Sequence, residues 1–146
     1  MKRLLVVGLV LVSSAAWAGE AERAAKREAE KVLKEATDNF KTNCGCALKA
    51  DVKWDKIKTG DQISQVKNLG NSLKDGADSF CKAKDDSEDA KKAAADNKKA
   101  ICAMKSLEIT NGKEADVKFA SGKASIVLTD SSYVSWDMIQ RAVDKD

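Results

Sequence analysis

The sequence predicts a small, single α+β domain cross-linked by disulfides, with its elements in the order α-β-α-α-β-β-β-α. Three observations lead there. Apolar residues recur at steps of three and four through most of the first two thirds of the chain. They alternate with polar residues from Leu107 to Leu128. Four cysteines follow a segment that reads as an export signal.

That segment comes first. Lys2 and Arg3 precede the apolar run Leu4–Val12, followed by Ser13, Ser14 and the small-residue exit Ala16-Trp17-Ala18. A basic start, a short apolar centre and an A-x-A exit are the layout of a secretory signal peptide. Residues 1–18 are therefore expected to be removed between Ala18 and Gly19, leaving residues 19–146 as one disulfide-linked domain. The apolar run falls short of the about 20 residues that span a bilayer. The first cysteine is Cys44, too far downstream to carry a lipid at the cleavage site. The expected product is periplasmic or secreted, with no membrane span once the signal is gone.

The first helix is expected from Glu20 to about Lys41, where Ala25, Ala29, Val32, Leu33, Ala36 and Phe40 mark one apolar face. The period then shortens to two. Cys44, Cys46, Leu48, Ala50, Val52 and Trp54 alternate with Gly45, Ala47, Lys49, Asp51 and Lys53, which predicts a strand with one buried face. Thr59-Gly60-Asp61 starts a second helix carrying Ile63, Val66, Leu69, Leu73, Ala77 and Phe80. Gly70 and Gly76 weaken it by about 1 kcal/mol each against Ala, so a kink or break near Gly76 is expected. After the charged connector Lys82–Glu88, Ser87 can cap a third helix with Ala90, Ala94, Ile101 and Met104 inward.

Leu107–Thr110, Ala115–Phe119 and Ala124–Leu128 alternate, separated by Asn111-Gly112 and Ser121-Gly122-Lys123. Asn-Gly between alternating runs is a hairpin signal, so these strands predict an antiparallel meander packed against helices. Asp130 or Ser131 would cap a final helix carrying Trp136, Ile139 and Val143.

Four cysteines in an exported chain predict two disulfides. Residues two apart on a strand lie about 6.6 Å apart with parallel side chains, a poor span for a bridge. Cys44 and Cys46 are therefore expected to pair with Cys81 and Cys102, in either order. This constrains the packing. In a tight hairpin of the second and third helices, Cys102 would lie roughly 20 Å from Cys81, out of reach of neighbouring partners. Either the connector runs back alongside a helix or the third helix is short.

Composition narrows the function. Without Lys2 and Arg3 the 26 basic residues fall to 24 against 23 acidic, a net charge of +1. Nothing in that balance favours a nucleic-acid partner. The chain has no histidine, which removes His-based nucleophile schemes and the commonest nitrogen ligand for zinc or copper. No metal or other cofactor is expected, and no catalytic motif is present. Trp54, Tyr133 and Trp136 could form a ligand-facing patch, though core packing is the plainer reading. Lys91-Lys92 and Lys98-Lys99 lie among acids and read as a solvated helix face. Asp85–Asp89 lacks the spacing and glycine of a calcium loop. The expectation is a non-catalytic protein that binds another protein or an envelope component. The alternative is thiol–disulfide exchange or soft-metal handling at Cys44 and Cys46.

Overall fold

The computed structural model describes residues 13–145, with side chains from Gly19 onward. The basic start and apolar run of the expected signal lie outside the described residues, and the Ala18–Gly19 junction falls within the first helix. No helix among the described residues is long and apolar enough to cross a membrane.

Helix α1 runs from Ser13 to Asn39. Its Ala29, Leu33 and Ala36 are buried, as the three-and-four spacing requires. One π-helical turn, Phe40–Cys44, extends it. Gly45 then turns the chain in the left-handed region at φ 77°, where a residue without Cβ is at ease. Here the expected Cys44–Trp54 strand needs correction. Strand β1 covers only Lys49–Val52, because alternation at Cys44 and Cys46 comes from a helix end and a glycine corner.

Helix α2, Gly60–Cys81, opens with a reciprocal cap. The Thr59 hydroxyl accepts from Gln62 N–H, and the buried Gln62 side chain accepts from the backbone N–H of Lys58 and Thr59. Gln62 Nε2 also donates to Asp130 at 2.6 Å, tying this helix start to the loop before the last helix. No break occurs at Gly76. A Cβ there would overlap the Trp136 ring, and one at Gly70 would meet Val32 Cγ1 at 2.8 Å. Both glycines let neighbours approach closely.

Helix α3, Glu88–Ile101, is capped by Ser87. Its 14 residues span about 21 Å at about 1.5 Å per residue. It meets α2 at that helix's end, where Ala90, Ala93, Ala94 and Asn97 share a hollow with Ser79, Lys82 and Lys84. The exposed connector Lys82–Ser87 carries the chain out, and α3 brings Cys102 back.

Strands β2 (Ser106–Asn111), β3 (Asp116–Ala120) and β4 (Lys123–Leu128) follow, then helix α4 (Trp136–Val143). The domain is α+β in the expected element order. The sheet is mixed, with order β1-β2-β4-β3. β1 is parallel to β2 and β2 to β4, and only β3 and β4 are antiparallel. The expected meander is therefore corrected. An Asn-Gly hairpin turn needs φ > 0 at both residues, and neither Asn111 nor Gly112 has it. Asn111 stays in β2 opposite Leu128, and Gly112 N–H donates to Leu128 C=O at 2.9 Å. The chain then passes over the end of β4 to form β3 on its far side. The hairpin turn is Ser121-Gly122, with φ of 52° and 80°. β4 takes the inner position with Ala124, Ile126 and Leu128 all buried, while β3 buries none of its residues fully.

The register places Ala50, Val52, Leu107, Ile109, Ile126 and Val117 on one sheet face, against the helices. The other face carries the row Asp51, Glu108, Ser125, Lys118. Asp51 and Glu108 are like charges directly opposite, an unfavourable pair by itself. Lys53 (2.5 Å to Asp51, 3.7 Å to Glu108) and Lys123 (2.9 Å to Glu108) offset it. The last helix begins later than expected, with Ser135 rather than Asp130 or Ser131 at its cap position.

Candidate functional site

The four cysteines meet at the Cys44-Gly45-Cys46 corner. Cys44 is bridged to Cys81 and Cys46 to Cys102, with Cα separations of 5.0 and 5.7 Å. The corner joins the ends of α2 and α3 to the exit of α1. Cys44 and Cys81 are buried, whereas Cys46 and Cys102 are half-buried. All four sulfurs are spent in bridges, so this state holds no thiolate for a nucleophile or a metal. No group of three or more His, Cys, Asp or Glu among the described residues is placed to hold a metal ion.

Beside the first bridge, Asn43 Nδ2 donates to Asp78 at 2.5 Å and contacts the Asn39 side-chain oxygen. Lys82 donates to the same Asp78 carboxylate at 3.1 Å. That Lys82 hydrogen bond is the main reason the Asp78 carboxyl titrates below its ordinary range. The other shifted groups are also surface pairs. Hydrogen bonds from Lys26, Lys67, Lys123 and Lys118 lower Glu22, Glu28, Glu108 and Asp116, and the Asp51 and Asp38 carboxylates raise Lys53 and Lys34. Asp85 is lowered by hydrogen bonds from Ser87. It accepts from the backbone N–H of Ser87, the α3 cap residue, at 2.9 Å.

The three aromatics considered as one patch are divided. Trp54 is half-buried, with Lys26 Nζ 5.8 Å from its ring centre, and lines a groove between α1 and β1. Trp136 is a core residue, 8% exposed, edge-on to Phe40 at 5.9 Å and tilted against Phe80 at 5.7 Å. Its Nε1 is buried without an acceptor. Tyr133 is 53% exposed, and its hydroxyl contacts the Ser72 hydroxyl.

Tyr133 and Trp136 do share a cleft of about 350 Å³ with Phe80, between α2 and the start of α4. Its charged lining consists of Asp75 and Asp137 alone. Sequence reasoning singled out Tyr133 and Trp136 but not Asp75 or Phe80, which arrive from α2. The signal was Gly76, whose missing side chain admits the Trp136 ring. Lys91, Lys92 and Lys99 are exposed and Lys98 half-buried; Lys91 pairs with Glu88 at 3.4 Å. No family model, curated protein or solved structure matches this chain.

Proposed function

We propose that this is an exported, non-catalytic protein that binds another protein or an envelope component, and that it does so at the α2–α4 cleft. The observation carrying this reading is Tyr133: a large aromatic held against Ser72 yet more than half exposed, at the mouth of a cleft charged only by two carboxylates. A fixed aromatic loses little conformational freedom on docking, and interface anchors are rich in Tyr. Asp75 and Asp137 suit a partner that presents a basic group beside an apolar one. The basic, apolar, A-x-A start and the paired cysteines support export.

The test is a photo-crosslinking residue at position 79, an exposed wall of the cleft that leaves Tyr133 in place, in cells that make the protein. A discrete crosslinked partner is expected, lost when Asp75→Asn and Asp137→Asn are combined and kept in Lys92→Ala. Absence of any discrete product, or one indifferent to the two aspartates, would overturn the cleft as the binding face.

The alternative, thiol–disulfide or soft-metal chemistry at the Cys44/Cys46 corner, draws support from the partial exposure of Cys46 and Cys102. Reduction of insulin by the purified protein, or metal retained after mild reduction, would put that reading first.

A further inference from the structure

Strand β1 is an edge of the sheet, and the phase of its backbone is fixed. Lys49 N–H donates to Lys105 C=O at 3.1 Å and Lys53 N–H to Ile109 C=O at 2.9 Å. Alternation then turns the N–H and C=O of Ala50, and the N–H of Val52, away from β2 toward the open edge. Beside this edge lies the groove of about 330 Å³ between α1 and β1, floored by Leu33, Val52 and Trp54.

We propose that a second copy of this chain docks here, β1 against β1, in antiparallel register about a two-fold axis through Ala50. The inference stands apart from the cleft reading and uses a different face. Backbone phase requires that outward residues meet outward residues, so the axis passes through a residue and not between two. With the axis at Asp51, Asp51 would face the second copy's Asp51 and Lys49 its Lys53, all like charges. With the axis at Lys49, two lysines would meet. With the axis at Val52, the pairing would need Lys53 and Trp54, where the chain already turns: Trp54 N–H donates to Val52 C=O. With the axis at Ala50, Lys49 faces the second copy's Asp51 and Asp51 its Lys49. Both contacts are attractive, and symmetry makes each twice over. On the helix side, Leu48 faces the second copy's Val52, and the two small Ala50 side chains meet on the axis.

Lys49 is exposed and forms no ion pair among the described residues; the second copy's Lys49 would join Lys53 at the Asp51 carboxylate. The other edge, β3, carries the same pair of signs. There, however, Lys118 and Asp116 hold each other at 2.9 Å, so both members are engaged, whereas at β1 only Asp51 is, by Lys53 at 2.5 Å.

The experiment is sedimentation equilibrium of the protein recovered from the exported fraction with both disulfides formed, with circular dichroism to check folding. Wild type is expected to reach twice the chain mass as concentration rises. Asp51→Lys and Lys49→Asp should each weaken association at least tenfold, and the two combined should restore it, because the swap exchanges signs without changing the pairing. Ala50→Pro removes only an outward N–H and should give a folded monomer. Lys118→Asp should leave the dimer intact. A wild type that stays monomeric to about 1 mM, a weak association by the usual affinity scale, overturns the proposal. So does a dimer that ignores both single charge changes, one that the swap fails to restore, or one that Lys118→Asp dissolves.

Discussion

The two disulfides start two residues apart and end in different environments. Cys44–Cys81 lies within the core, with Cys44 6% and Cys81 2% exposed. Cys46–Cys102 lies half-buried on the outside of the same corner. The loops they close differ as well, with sequence separations of 37 and 56. In the chain-entropy model each bridge is worth about 4 kcal/mol, and the longer loop exceeds the shorter by only about 0.4 kcal/mol. Removing buried atoms and leaving a small cavity costs on the order of 1 kcal/mol or more. Burial and loop length therefore rank the bridges in opposite orders, and burial is the larger effect.

Deleting each bridge in turn separates burial from loop length. Cys44→Ala with Cys81→Ala should lower unfolding free energy by roughly 5 kcal/mol, and Cys46→Ala with Cys102→Ala by roughly 4 kcal/mol. Urea denaturation of both pairs measures the difference, and a reversed order would show that loop length governs. The same contrast predicts that a limiting reductant opens Cys46–Cys102 first, read by alkylation and peptide mass. Gly76→Ala should be next in size. Its methyl overlaps the Trp136 ring, and overpacking of a filled core costs roughly 1–3 kcal/mol. A melting temperature equal to wild type would mean that the ring shifts freely. The smallest effect belongs to Asp78, which stands beside the buried bridge. Its folded-state pKa is lowered, chiefly by the Lys82 hydrogen bond. Its contribution is therefore present above the carboxylate's unfolded pKa and is lost as pH falls through the folded value. The melting-temperature gap between wild type and Asp78→Asn should narrow across that acidic window and stay constant above it.

The order of elements was legible because period and turn residues are local signals. Leu107–Leu128 alternates as three strands whichever neighbours they choose. Which strands pair is not local. β4 sits beside β2 because its buried residues need the inner position, and Asn111-Gly112 carries no trace of that competition. The Cys44–Trp54 stretch misled for a related reason: alternation at a helix exit imitates a strand, and only Gly45's left-handed backbone distinguishes them. Pairing of Cys44 and Cys46 with Cys81 and Cys102 was reached from the span of a strand that is absent at those residues, so the outcome was legible and its geometric reason was not. The cleft was half legible. Tyr133 and Trp136 stand out as aromatics, while Asp75 and Phe80 acquire meaning only when α2 packs beside α4.

The connectivity at the glycine corner bears on how the chain matures. Numbered along the chain, the cysteines join first to third and second to fourth. A polypeptide oxidised progressively from its N-terminal end presents Cys44 and Cys46 together before Cys81 exists as a partner. Fast oxidation then stores the wrong pair, and reaching the native map requires exchange between thiols and disulfides. Yield of native protein should therefore depend on an isomerising catalyst or a mild redox buffer, and strong oxidants alone should lower it.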